Sequence, residues 1–126
     1  MNVPNTATYA TYPSLVDRTV FVTGGAEGIG AAIVEEFVRQ GSKVGFADIN
    51  ADKGVETIER CAASNPRHTP HFYEVDLVDI SATQSVVRQA QADLGGLTVL
   101  VNNAANDERH TWEGLSADDW DDRMNT

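Results

Sequence analysis

The stretch Thr19-Val20-Phe21-Val22-Thr23-Gly24-Gly25-Ala26-Glu27-Gly28-Ile29-Gly30 decides how the chain is read. Its first five residues are β-branched or aromatic, with no apolar–polar alternation, as in a strand buried on both faces. Glycines at G-x-x-x-G-x-G spacing follow. Then Ile29, Ile33 and Phe37, with Val34 and Val38, keep helical spacing as far as Gln40, and Gly41 supplies the stop. A glycine-rich turn between strand and helix lets backbone N–H groups approach an anion, and the helix N-terminus adds partial positive charge. Gly24 is expected to make the tight turn and Gly28 to admit a pyrophosphate. Gly30, with Ala31 and Ala32, is expected to let the helix pack closely on the sheet. The commoner fingerprint is G-x-G-x-x-G, and a turn that serves packing only is the alternative.

The alternation continues down the chain. Val44–Ala47 reads as a second strand ending at Asp48, and Ala51–Ala63 as a helix capped by Asn50. After the turn at Asn65-Pro66, Phe72–Val75 reads as a third strand ending at Asp76. Ser81 and Gln84 resemble a capping box for a helix carrying Val86, Val87, Ala90 and Leu94, which Gly95-Gly96 ends. Leu97–Val101 is the fourth and most apolar strand. Ser116 and Asp119 form another capping-box signature, with Trp120 and Met124 on one helical face. The order is βαβαβαβ followed by a helix start. It implies an α/β fold, a Rossmann-like parallel sheet with right-handed crossovers and helices on both faces. In such sheets ligands bind beyond the carboxyl ends of the strands, where the strand order reverses.

Composition narrows the partners. With 126 residues and a net charge of -10, the chain is one domain at most and lacks the basic surface that nucleic acid or anionic membrane requires. No apolar run approaches the ~18 residues needed to span a bilayer. The opening MNVPNTATYATYPS has neither a basic nor an apolar signal region, so residues 1–14 read as a flexible polar lead-in. Cys61 is alone, which fits a reducing cytoplasm and a thiol on a helix face. His68 and His71 are three apart, but no acid or thiol in the local sequence completes a metal site, and Pro70 argues for a turn.

The strand ends hold the candidate chemistry. Asp48, eighteen residues beyond Gly30, can accept hydrogen bonds from ribose hydroxyls and would repel a 2′-phosphate. No Arg or Lys lies in the glycine turn or directly after the second strand, and Glu27 is also acidic, so charge favours NAD over NADP. A helix-capping Asp is the alternative. Asp76 could accept from an adenine amino group with Leu77 against the ring, or simply open a helix. Asn102-Asn103-Ala104-Ala105 could tie neighbouring strand ends together.

Taken as a set, Thr23-Gly-Gly-Ala-Glu-Gly-Ile-Gly30, Asp48, Asp76-Leu77 and Asn102-Asn-Ala-Ala105 resemble the short-chain dehydrogenase/reductase family. One departure is Ala105, where that family usually has Gly. The resemblance implies NAD(P) contacts from Gly24, Glu27, Gly28, Ile29, Gly30, Asp48, Ile49, Asp76, Leu77, Asn102 and Ala104. It also implies that residues 15–126 form the N-terminal part of an NAD(P)-binding domain. Tyr12-Pro-Ser-Leu15, Asn106-Asp-Glu-Arg-His110 and Trp120-Asp-Asp-Arg123 are similar to the sugar 1-dehydrogenases of the family. That narrower likeness implies oxidation of an aldose at its anomeric carbon, with Asn106 and Asp107 at the sugar and a homodimer or homotetramer as the full-length form.

The family's catalytic set is Asn, Ser and Tyr-x-x-x-Lys. Tyr9, Tyr12 and Tyr73 have no Lys four residues later, and family spacing puts the Asn seven residues after Trp120, one past Thr126. No catalytic residue is therefore assigned. The chain is expected to be truncated after the fourth strand and the start of the next helix, marginally folded, and inactive alone. The open apolar edge of the fourth strand is expected to promote association. A non-catalytic nucleotide-binding remnant or interaction module is the competing reading. Another Rossmann-like enzyme such as a methyltransferase is a third, which the Asn102–Ala105 stretch opposes.

Overall fold

The structure, a computed structural model, describes residues 9–105, 112–114 and 116–125. Strand β1 (Thr19–Thr23) lies inside a four-stranded sheet of order β3-β2-β1-β4. Its neighbours are β2 (Lys43–Asp48) and β4 (Val99–Asn102), and β3 (His71–Glu74) pairs with β2. Every pairing is parallel. From β1 the chain moves outward to β2 and β3, then crosses back to place β4 on the other side of β1. The order therefore reverses between β1 and β4.

Alternation along β1 and β2 divides the core. Val20, Val22, Val44 and Phe46, all 0% exposed, face α1 (Gly28–Arg39) and α2 (Ala51–Ala63), where they meet Val34, Val38 and Cys61. Phe21, Ala47 and Val75 face α3 (Ile80–Leu94) and meet Ala90. β1 is thus buried on both faces, as its unbroken apolar run implies. Phe46, wholly buried, has its ring centroid 5.2 Å from that of Phe72. Burial of such a side chain contributes about 1.5–3 kcal/mol. Gly54, inside α2, leaves room for the Phe72 ring, which a Cβ there would overlap.

Element ends differ from the sequence expectation where two signals compete. The third helix begins at Ile80 rather than at the Ser81–Gln84 box. Asp79 is its cap, accepting from Ala82 N at 3.0 Å, while the Thr83 hydroxyl donates to Asp79 O at 2.8 Å. Two local bonds favour the earlier cap. β3 and β4 are displaced to His71–Glu74 and Val99–Asn102, because Thr98 N and Oγ1 both bind Thr19 O and Val75 N binds Asp48 O beyond the regular ladder. The Asn50 cap, the Gly95 stop (φ 78°) and the Ser116–Asp119 capping box of α4 (Ala117–Met124) lie where the sequence places them. Trp120 and Met124 of α4 are exposed, as is Leu100 on the edge strand β4.

Of the polar lead-in, residues 1–8 lie outside the described residues. From Tyr9 the chain runs along the end of α1. Gln40 Nε2 donates to Ala10 O at 3.0 Å, Gln40 Oε1 accepts from Tyr12 N at 2.9 Å, and the Arg39 guanidinium stacks 5.2 Å from the Tyr9 ring centroid. No helix among the described residues is long and apolar enough to cross a membrane.

Candidate functional site

The reversal between β1 and β4 opens a groove of ≈ 780 Å³ at the carboxyl ends of the strands. That lies within the 300–1,000 Å³ usual for small-molecule sites. Its floor is the glycine turn. Gly24 (φ 70°) and Gly28 (φ 60°) take left-handed backbone conformations that glycine adopts without strain. A Cβ on Gly24 would come 2.9 Å from Ala104 Cα, whereas one on Gly28 would meet nothing within 4 Å. Gly28 thus opens onto free space at the start of α1. The first N–H groups of a helix have no acceptor within it, so this end of α1 offers donors and a positive dipole end to the groove.

The tight approach of Gly30 is to the turn, not to the sheet. A Cβ on Gly30 would overlap the Gly24 carbonyl oxygen. The residue that lets the helix approach the sheet is Gly25, whose Cβ would sit 2.7 Å from Phe46 Cβ and 2.9 Å from Val34 Cγ2.

Asp48 closes β2 and holds the turn. Its Oδ2 accepts from Ala26 N at 3.1 Å and its Oδ1 from Asn50 N at 3.0 Å. Each carboxylate oxygen keeps capacity for a second donor. The carboxylate therefore braces the glycine turn while lining the groove. Capping of α2 itself falls to Asn50, which accepts from Lys53 N at 3.1 Å. Asp76 is exposed, accepts from Val78 N at 3.0 Å, and lines the groove beside Leu77. Ile29 and Ile49, 75% and 65% exposed, add apolar walls.

Nine of the residues singled out in the sequence come together here: Gly24, Glu27, Gly28, Ile29, Asp48, Ile49, Asp76, Leu77 and Ala104. Gly30 lies beneath the turn, and Asn102 ends β4 opposite Thr23 without lining the groove. Asn103 does the tying expected of the Asn pair. Its Nδ2 donates to Gly24 O at 3.0 Å, and the backbone N–H groups of Asn103 and Ala104 both donate to Thr23 Oγ1, at 3.0 and 3.1 Å. Asp122 of α4 also lines the groove. The sugar candidates Asn106 and Asp107 lie outside the described residues.

Other titratable groups are engaged elsewhere. Tyr73 Oη donates to Asp93 at 2.6 Å, and burial together with that bond pushes the phenol well above its usual range. Burial also pushes the Cys61 thiol up to about 11. His68 donates to Asp17 at 2.6 Å, an acid fifty-one residues away that the local sequence did not suggest.

A family model described as short chain dehydrogenase matches residues 18–126. The chain is 44% identical over 113 residues to a probable galactose dehydrogenase of Rhizobium meliloti, covering 90% of this chain and 44% of that protein. It is 40% identical over 116 residues to D-xylose 1-dehydrogenase of Caulobacter vibrioides, covering 92% and 44%. A solved short chain dehydrogenase from Mycobacterium smegmatis superposes with a TM-score of 0.85 at 24% identity, over 93% of this chain and 49% of that one. A Serratia marcescens short-chain dehydrogenase/reductase variant gives 0.79 at 33% identity, over 90% and 46%. The chain thus spans less than half the length of each of these proteins.

Proposed function

The chain belongs to the short-chain dehydrogenase family, and from that premise we propose that its groove holds NAD for an oxidoreductase acting on a sugar hydroxyl. The family uses nicotinamide cofactors, and bound NAD would supply the hydride acceptor. Gly28 and the start of α1 receive the pyrophosphate, Asp48 the adenosine ribose, and Asp76 with Leu77 the adenine. Gly24, Glu27, Ile29, Gly30, Ile49, Asn102 and Ala104 complete or support that setting. The observation that carries NAD over NADP is the ring of carboxylates. Glu27, Asp48 and Asp76 line the groove, and no Lys or Arg lines it among the described residues. A ribose 2′-phosphate would meet like charge there.

The names of the galactose and D-xylose relatives support an aldose substrate oxidised at its anomeric hydroxyl. Asn106 and Asp107 are the proposed sugar contacts. The groups that take the hydroxyl proton are assigned to none of these 126 residues. Titration calorimetry of the chain tests the cofactor reading. NAD is expected to bind at least about tenfold more tightly than NADP, a difference of ~1.4 kcal/mol. Equal affinity, or a preference for NADP, overturns it.

A further inference from the structure

One contact to the glycine turn comes from a residue that does not line the groove. Thr57, on α2, is 0% exposed, and its Oγ1 donates to Ala26 O at 2.8 Å. Arg60 Nη2 donates to the same hydroxyl at 3.2 Å, and Arg60 Nε donates to Glu35 Oε1 on α1 at 2.6 Å. A threonine hydroxyl has one hydrogen and a guanidinium is donor only. The Arg60 contact therefore occupies a lone pair of Thr57 and directs its single hydrogen to Ala26. The Ala26 N–H is meanwhile taken by Asp48. Both polar groups of this one residue are fixed from outside the turn.

The carbonyl that Thr57 occupies has a rival claimant. In an α-helix the N–H of a residue bonds the carbonyl four residues back, so Ala26 O is the acceptor that Gly30 N–H would take if α1 began one residue earlier. Instead Glu27 is extended (φ −150°, ψ 169°) and α1 begins at Gly28. By engaging Ala26 O, the Thr57 hydroxyl competes with that extension and keeps the Gly30 N–H available at the helix start. We propose that Thr57, held by Arg60 and Glu35, is a positioning residue for the cofactor pyrophosphate, setting where α1 starts and so where its free N–H groups point. The proposal rests on the NAD reading above.

Thr57→Val keeps the buried shape and removes the hydroxyl, whereas Thr57→Ser keeps the hydroxyl. Calorimetry of the 126-residue chain is expected to show about tenfold weaker NAD binding for Thr57→Val and a change within about twofold for Thr57→Ser. Ligand-free amide exchange gives a second readout: in Thr57→Val the Gly30 amide becomes more protected as it captures Ala26 O. NAD affinity equal to wild type in a folded Thr57→Val chain, or an equal loss in Thr57→Ser, overturns the assignment. If Thr57→Val fails to fold, the exposed Arg60→Met change is read instead. It is expected to weaken NAD binding about threefold, and unchanged binding overturns the relay. If the wild-type chain binds no NAD, the cofactor reading falls, and the Gly30 exchange rate alone decides whether Thr57 sets the helix start.

Discussion

At the carboxyl ends of the strands the charged side chains around the groove, among the described residues, are Glu27, Asp48, Asp76 and Asp122. At the amino ends Lys43, Arg67, His68 and His71 line a smaller hollow of ≈ 360 Å³ together with Asp93. The two ends also differ in what their charges touch. Asp48 and Asp76 accept from backbone N–H groups and so fix the course of turns. At the other end Arg67 forks onto Asp17 at 2.8 and 3.0 Å, and His68 joins them at 2.6 Å, all on the surface. Exposed ion pairs contribute little to stability. Carboxylates that hold backbone are harder to replace, because their loss frees polar groups that have no other partner. At the groove end it is the carboxylates that grip the main chain.

Gly30→Ala should separate the two ends most sharply. Its methyl would overlap the Gly24 carbonyl oxygen, a backbone atom that cannot move aside as a side chain can. A loss of ~3 kcal/mol is expected, at the upper end of overpacking costs, measured as a fall in the urea midpoint. NAD binding should disappear with it. A variant of wild-type stability would show the turn to be looser than its hydrogen bonds imply.

Asp48→Ala comes next. It frees the Ala26 and Asn50 N–H groups, with an expected cost of about 1–3 kcal/mol in urea denaturation. NAD affinity should fall in the same chain. A change in affinity with no change in stability would mean that the brace onto Ala26 is dispensable.

The smallest effect belongs to the amino end. The Arg67 fork, then His68, holds the Asp17 carboxyl well below its ordinary value of 3.8. A depressed carboxyl contributes stability above its unfolded pKa, and that contribution is lost as pH falls below about 4 and through the folded value. Asp17→Asn suits the left-handed φ of 62° there. It should lower the urea midpoint slightly at neutral pH, converge with wild type in acid, and leave NAD affinity unchanged. A shift in NAD affinity would couple the two ends and break the contrast.

What the sequence made legible follows from the range of the interactions. The β1 run, the helical spacing of Ile33, Phe37 and Val38, and the Asn50 and Ser116 caps are set within a few residues. The strand–turn–helix context of Gly24, Gly28 and Asp48 led to the groove because the fold rule for strand ends is general. Thr57 and Thr23 were not legible as tethers, and the Asn102–Asn103 pair was legible as one only without its partners, the Gly24 carbonyl and the Thr23 hydroxyl. Their hydrogen bonds join residues 31 or 79–81 apart, which no local pattern records. Gly25 was unmarked for the same reason, since its constraint is the Phe46 side chain of the next strand. The Ser81–Gln84 box misled because Asp79, two residues earlier, is an equally good cap with Thr83 behind it. The contacts of Ala10 and Tyr12 with the end of α1 depend on Gln40, a polar residue capping that helix, which spacing alone marks as surface.

Cys61 gives the chain an internal reporter. It is 2% exposed among Val34, Val38 and Phe46, and burial keeps its thiol protonated at neutral pH. Alkylating reagents attack thiolates they can reach, so the folded chain resists them and each labelling event counts an opening of the α1–α2 side of the core. Pulse labelling followed by mass spectrometry would therefore time that opening in the chain and each variant, with no probe engineered in and no second thiol to confuse the count.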